Sequence, residues 1–121
     1  MTKILIVDDS IVQRSLVKRS LQQCGYQLLE AENGALALEA AETHKPDLIL
    51  CDLNMPVMGG MECLQIMQER GTNIPVIVIT ADIQDSTKEQ CLSFGAKAVL
   101  HKPVQDPLLL TEISKLLGDA S

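Results

Sequence analysis

Short apolar runs alternate along this chain with longer stretches in which apolar residues recur every three or four positions. The runs are Ile4 to Val7, Gln27 to Ala31, Leu48 to Cys51, Val76 to Ile79 and Ala98 to Leu100. All but one are continuous, the pattern of strands covered on both faces. The exception, Gln27-Leu28-Leu29-Glu30-Ala31, is the most polar and is expected nearer a sheet edge. Helices are predicted over Ser10 to Cys24, Ala35 to His44, Gly60 to Arg70, Asp85 to Phe94 and from Asp106 onward. The first carries Val12, Leu16, Val17, Leu21 and Cys24 on one face and stops at Gly25, and the second ends before Pro46. Gly71 stops the third, while Ser86 and Glu89 are spaced as a capping box for the fourth, with Gly95 after it. The last opens with Asp106 as N-cap and Pro107 at the first helical position, followed by a stripe of Leu109, Leu110, Ile113, Leu116 and Leu117.

Strands and helices in strict alternation imply an α/β fold: a doubly wound, five-stranded parallel sheet with right-handed crossovers and five helices on its two faces. At 121 residues the chain is expected to be a single domain spanning 1–121, with one hydrophobic core's worth of sequence. With one Tyr, one Phe and no Trp, an aromatic-lined groove is not expected. The net charge of −6, without any block of Lys or Arg, argues against direct nucleic acid binding through a basic face. Cys24, Cys51, Cys63 and Cys91 have no metal-ligand spacing and read as reduced, mostly buried thiols. The first apolar run breaks at Asp8-Asp9, too early for a signal peptide core or a membrane span, so a cytoplasmic protein without membrane association is expected.

Open parallel sheets bind ligands beyond the carboxyl ends of their strands. There the chain places Asp8 and Asp9 after the first run, Asp52 after the third, Thr80 after the fourth and Lys102-Pro103 after the fifth. Neighbouring strands lie about 4.8 Å apart, so the ends of the central strands fall within roughly 5 to 10 Å of one another. Three carboxylates so close repel unless a cation joins them, and hard oxygen ligands favour Mg2+. One carboxylate is then free to attack a phosphoryl group. That reaction depends mostly on placement and charge neutralisation, for which Lys102 and Thr80 are suited. Each residue also has a structural reading: Asp8-Asp9 as a helix cap, Asp52 as a turn residue before Leu53-Asn54-Met55-Pro56, Thr80 as a partner for backbone groups and Lys102 as a solvated charge. Their joint placement at successive strand ends favours a site.

At these residues the sequence resembles the receiver domains of two-component response regulators. The resemblance is carried by Ile4-Leu5-Ile6-Val7-Asp8-Asp9-Ser10, by Asp47 to Pro56 followed by Met58-Gly59-Gly60, by Pro75 to Ala81, and by Gly95-Ala96 leading to Lys102-Pro103. It covers essentially the whole chain, and Ser10 and Arg14 look closest to the chemotaxis (CheY-type) branch. The resemblance implies a flavodoxin-like fold with strand order 2-1-3-4-5 and a phosphoacceptor at Asp52. Asp9 would bind Mg2+ directly, Asp8 largely through water, and the backbone carbonyl of Asn54 would complete the ligands along with Asp52. Thr80 matches the switch hydroxyl and Lys102 the phosphate-binding ammonium, preceding a cis bond to Pro103. Ala81 leaves space for the phosphoryl group, and Asn54 and Asp82 flank the path of the attacking water. The implied partners are a histidine kinase as donor, a downstream protein or fused output domain, and a phosphatase; phosphorylation and dephosphorylation are self-catalysed rather than enzymatic in the usual sense.

One position departs from the family. The switch residue three before the phosphate-binding Lys is usually Tyr, Phe or His, and here it is Val99. Aromatic rotation is therefore unavailable; His101, two residues on, is read as a solvated edge residue rather than a substitute. Rival readings fit less well. A haloacid-dehalogenase-like phosphatase needs D-x-D-x-T after its first strand, whereas Asp52-Leu53-Asn54 follows the third and lacks the second Asp. A flavin binder would meet phosphate-repelling carboxylates at the first turn. A pseudo-receiver used only for docking would not need Asp8, Asp9, Asp52, Thr80 and Lys102 together.

Overall fold

The computed structural model describes residues 1–118. Five strands, β1 (Lys3–Val7), β2 (Gln27–Ala31), β3 (Leu48–Cys51), β4 (Val76–Thr80) and β5 (Ala98–His101), alternate with five helices. These are α1 (Ile11–Leu21), α2 (Gly34–His44), α3 (Gly60–Glu69), α4 (Asp85–Ser93) and α5 (Asp106–Leu117). All strand pairs are parallel, in the order β2-β1-β3-β4-β5, so the polar second strand is indeed an edge.

Because successive side chains of a strand point to opposite faces, each strand feeds two cores. Leu5, Val7, Ile49, Cys51, Val76 and Val78 pack with Ala37, Cys63, Leu64, Met67 and Cys91, which puts α2, α3 and α4 on one face. Ile4, Ile6, Leu48, Leu50, Ile77 and Ile79 pack with Leu21, Leu109 and Ile113, which puts α1 and α5 on the other. The two-sided burial explains why these strands read as continuous apolar runs.

Several helix details differ from expectation. Val12 and Leu16 were expected on the buried face of α1, but they are exposed, as is Ile11; within α1 itself only Leu21 is buried. The helix tightens into a 3-10 turn over Gln22–Cys24, and this carries Cys24 into solvent, whereas Cys51, Cys63 and Cys91 are buried. Ser86 does not cap α4: the N-cap is Gln84, without a side-chain cap bond. For α5 the N-cap is Gln105 rather than Asp106, whose carboxylate instead accepts a 2.6 Å hydrogen bond from Ser20 Oγ and ties α5 to α1.

The loop after β3 is tightly constrained. The backbone N–H groups of Gly34 and Gly60 donate to Met58 and Leu53 carbonyls at 2.8 and 2.9 Å. A Cβ on Gly60 would collide with the carbonyl of Asp52, so only glycine lets α3 begin directly against the strand end. Val57, at the tip, has φ 69 and is 84% exposed; a β-branched residue in the left-handed region is strained. Two substitutions should therefore move stability in opposite directions. Gly60→Ala should lower the urea-unfolding free energy by about 1–3 kcal/mol, while Val57→Gly should raise it by up to about 1 kcal/mol. Equal destabilisation by both would show that the loop geometry is not set this way.

Candidate functional site

The carboxyl ends of β1, β3 and β4 meet because the ladders are in register there, with Val7 opposite Cys51 and Cys51 opposite Val78. The ladder continues one step further, since Asp52 N–H donates to the Val7 carbonyl at 2.9 Å. Asp8, Asp52 and Lys102 follow Ile6, Leu50 and Leu100 with the strand period of two, so all three arrive on the α1/α5 side of the sheet. There Lys102 Nζ donates to Asp8 Oδ2 at 2.8 Å and lies 3.4 Å from Asp52 Oδ2. Lys102 is itself anchored by its backbone N–H on the Thr80 carbonyl and is followed by a cis bond to Pro103.

Carboxylate oxygens of Asp8, Asp9 and Asp52 lie within 4.8 Å of one another, with Asp8 and Asp52 buried and Asp9 exposed. The second oxygens of the buried pair are fixed by backbone: Asp8 Oδ1 accepts from Ser10 N–H at 2.9 Å, and Asp52 Oδ1 from Leu53 N–H at 2.8 Å. Ser10 Oγ caps α1 by accepting from Gln13 N–H. Burial pushes the Asp52 carboxyl above its ordinary range; Lys102 opposes that shift and Asp8 adds to it. Burial draws Lys102 down, but its hydrogen bond to Asp8 and the charges of Asp52 and Asp8 outweigh this and leave it raised. The cluster thus holds a charged lysine between carboxylates of which one resists ionisation. A cavity of about 290 Å³ opens beneath these three residues, between α1 and α5, floored by Ile6, Leu50 and Ile79.

Thr80 is fully buried at the end of β4, and its hydroxyl oxygen accepts the Asp82 N–H at 3.1 Å. Asp82 in turn accepts from Gln84 N–H at 2.9 Å and from Thr87 Oγ1 at 2.8 Å. Those two bonds hold its carboxyl below the ordinary range. The side chain of Asp82, not Ser86, is what secures the first turn of α4. Ala81 is exposed beside Thr80, and Asn54 is exposed two residues past Asp52. Val99 is partly buried against the core that includes Cys91, while His101, opposite Thr80 on β5, is exposed.

Sequence reasoning brought Asp8, Asp9, Asp52, Thr80 and Lys102 to one mouth; the structure gathers the three carboxylates with Lys102, while the Thr80 hydroxyl is engaged by the Asp82 N–H. That reasoning missed Arg14 as part of the site: its Nη1 donates to the Asp8 carbonyl at 2.6 Å while Nε pairs with Glu30 at 2.9 Å. It also missed Thr87. Nothing in local spacing marks either residue, since the partners of Arg14 depend on where β2 docks.

For Mg2+ the donor set fits. Asp9 offers an accessible carboxylate with no hydrogen bond or ion pair among the described residues, and all the clustered groups are hard oxygens. Among the described residues no helix is long and apolar enough to cross a membrane.

Comparison with known proteins agrees with the geometry. The family model for the response regulator receiver domain matches residues 4–114. The polar-differentiation response regulator DivK of Brucella anthropi is 32% identical over 119 residues, 97% of each chain. Among solved structures, the chemotaxis protein CheY4 of Vibrio cholerae superposes with a TM-score of 0.86 at 35% identity, covering 96% of this chain and 98% of that one. CheY in a CheX-CheY-BeF3-Mg2+ complex from Borrelia burgdorferi gives 0.90 at 28% identity, covering 96% and 89%. A five-stranded parallel sheet in this order, with its acidic residues gathered at the strand ends and a match over nearly its whole length, makes this chain a member of the response regulator receiver domain family, the phosphoacceptor domains of two-component signalling.

Proposed function

We propose that Asp52 is the phosphoacceptor of this domain and that Asp8, Asp9, Asp52 and the backbone carbonyl of Asn54 hold the Mg2+ that receiver domains require. The observation that carries the reading is the position of Asp52 Oδ2, 3.4 Å from Lys102 Nζ, within a three-carboxylate cluster spanning at most 4.8 Å. With Oδ1 held by the Leu53 N–H, Oδ2 is the oxygen presented for attack. It would form the bond to phosphorus as the bond to the donor's leaving group breaks. Lys102, already between the carboxylates, needs only a small movement to meet a phosphoryl oxygen, and a charge-assisted bond of that kind is stronger than a neutral one. Bound Mg2+ would supply positive charge against the phosphoryl oxygens.

The donor on this reading is the phosphohistidine of a kinase, which reaches Asp52 from the open side where Asp9 is exposed. Water later attacks phosphorus, releases phosphate and regenerates the carboxylate, with Asn54 and Asp82 flanking its path. A single-domain role over 1–121, a reduced cytoplasmic setting and a downstream protein or fused output domain belong to the same proposal. A docking-only module is disfavoured by the intact set of Asp52, Thr80 and Lys102.

Switching on this reading runs through Thr80. Its hydroxyl can donate to a phosphoryl oxygen on Asp52, and a shift of Thr80 disturbs the Asp82 N–H bond and, through Asp82, Thr87 and Gln84. Val99 is too short and too stiff to fill the space behind Thr80 as an aromatic ring would. The response therefore passes to the loop from Ala81 to Asp85 and to α4, of which only Cys91 is buried.

Incubation with acetyl phosphate and Mg2+ should modify Asp52, located by mass spectrometry after borohydride trapping. The label should decay spontaneously, at a rate altered by exchanging Asn54 and Asp82. Unchanged labelling of Asp52→Ala would refute the acceptor. Beryllofluoride, a phosphoryl mimic, should move amide chemical shifts across residues 81–94, and Thr87→Val should reduce the movement in α4 without affecting labelling. Shifts confined to the surroundings of Asp52 would show that the signal leaves by another route.

A further inference from the structure

Asp9 is the least supported member of the acidic cluster. Its carboxylate is exposed and makes no hydrogen bond or ion pair among the described residues, so its direction is set only by the backbone on either side. That backbone is pinned twice. On the preceding side, the Asp8 carbonyl accepts a 2.6 Å hydrogen bond from Arg14 Nη1; on the following side, Ser10 N–H donates to Asp8 Oδ1 at 2.9 Å. The peptide that joins Asp8 to Asp9 is therefore held by a guanidinium reaching back from the first turns of α1.

Arg14 is not free to make that bond in any orientation. Its side chain is only 13% exposed, and its Nε donates to Glu30 Oε1 at 2.9 Å. Glu30 sits on β2 opposite Ile6 of β1, and its other oxygen accepts from Lys18 Nζ at 3.0 Å. Hydrogen bonds from Lys18 and Arg14 hold the Glu30 carboxyl below the ordinary range, so it is ionised whenever the protein is near neutral pH. The planar fork of Arg lets one nitrogen face Glu30 while another faces the Asp8 carbonyl, a geometry a lysine ammonium does not reproduce.

We infer that Arg14, oriented by Glu30, is a positioning residue for the metal: it fixes the Asp8–Asp9 peptide so that Asp9 points into the cluster. The inference rests on the Mg2+ reading above and assigns to it a support outside the ligand set. Mg2+ demands near-ideal octahedral placement of its ligands, whereas Ca2+ accepts irregular ones. Loss of a positioning residue therefore falls on Mg2+ more than on Ca2+. A purely electrostatic role predicts no change for either metal when lysine replaces Arg14, because the positive charge beside the three carboxylates is kept.

Amide chemical-shift titrations of the full chain with Mg2+ and, separately, Ca2+ distinguish these cases. Arg14→Lys, which keeps the charge, should weaken Mg2+ by about tenfold and Ca2+ markedly less. Glu30→Gln should weaken Mg2+ in the same direction and add little in the Arg14→Lys background, and it serves alone if the Arg14 variant loses its native amide dispersion. Wild-type Mg2+ affinity in Arg14→Lys, tighter binding, or equal loss of both metals would overturn the inference. Asp9→Asn separates the two levels: if it abolishes Mg2+ binding while Arg14→Lys leaves it unchanged, only the positioning role fails. If Asp9→Asn leaves Mg2+ binding intact, the site and the inference fail together.

Discussion

Lys102 stands between two buried carboxylates, 2.8 Å from Asp8 and 3.4 Å from Asp52, and the rest of the site is arranged around that contact. Burying like charges together is costly, and an uncompensated buried charge more so. The fold meets this cost with one ammonium and a set of backbone N–H donors, from Ser10 and Leu53. Asp52 nevertheless has a raised pKa, so its ionised form is held at some expense. A group that is costly to ionise, beside a cation that can turn to a new anionic partner, is suited to accepting a phosphoryl group and later returning to its first state.

The same contact explains how sheet and loops cooperate. Asp8, Asp52 and Lys102 follow β1, β3 and β5, and the order β2-β1-β3-β4-β5 leaves their ends near one another on the α1/α5 side. Around them the loops are held by different means. The segment after β3 is locked by Gly60 against Asp52, the one after β1 by Arg14 and Ser10, and the one after β4 only by the small polar set of Thr80, Asp82 and Thr87. The third leads to α4, of which only Cys91 is buried, and is the route proposed above for the switch.

The strands and the cluster were legible in the sequence because strands buried on both faces leave uninterrupted apolar runs, and because a parallel sheet turns run endings into neighbours. Strand boundaries differ from expectation by one residue at most, as in Thr80 and His101, which extend β4 and β5. The helix faces were less legible. Val12 and Leu16 are spaced four apart, but they stand nine and five residues from Leu21, roughly half a turn around the helix; α1 docks through Leu21 and the partly buried Val17, leaving the other side exposed. Ser86 and Glu89 have capping-box spacing, yet Asp82, outside the helix, takes the N-terminal contacts. The Arg14–Glu30 pair spans sixteen residues and depends on the register of β2 on β1, which no local pattern records. Val57 has positive φ although its residue type opposes it, so its strain is visible only in the backbone.

The central claim is that Lys102 makes a buried acidic pair tolerable, and urea unfolding of the metal-free protein tests it directly. Removing Lys102 should cost about 2 kcal/mol at neutral pH, less than a fully buried pair because its side chain is 20% exposed. Asp52 has a folded-state pKa above its unfolded value, so its ionisation opposes folding once pH exceeds that range. The cost of Lys102→Ala should therefore shrink as the solution is acidified towards the Asp range, about pH 4, and should largely vanish in an Asp8→Asn, Asp52→Asn background. A cost that is the same in both backgrounds and at both pH values would contradict the account.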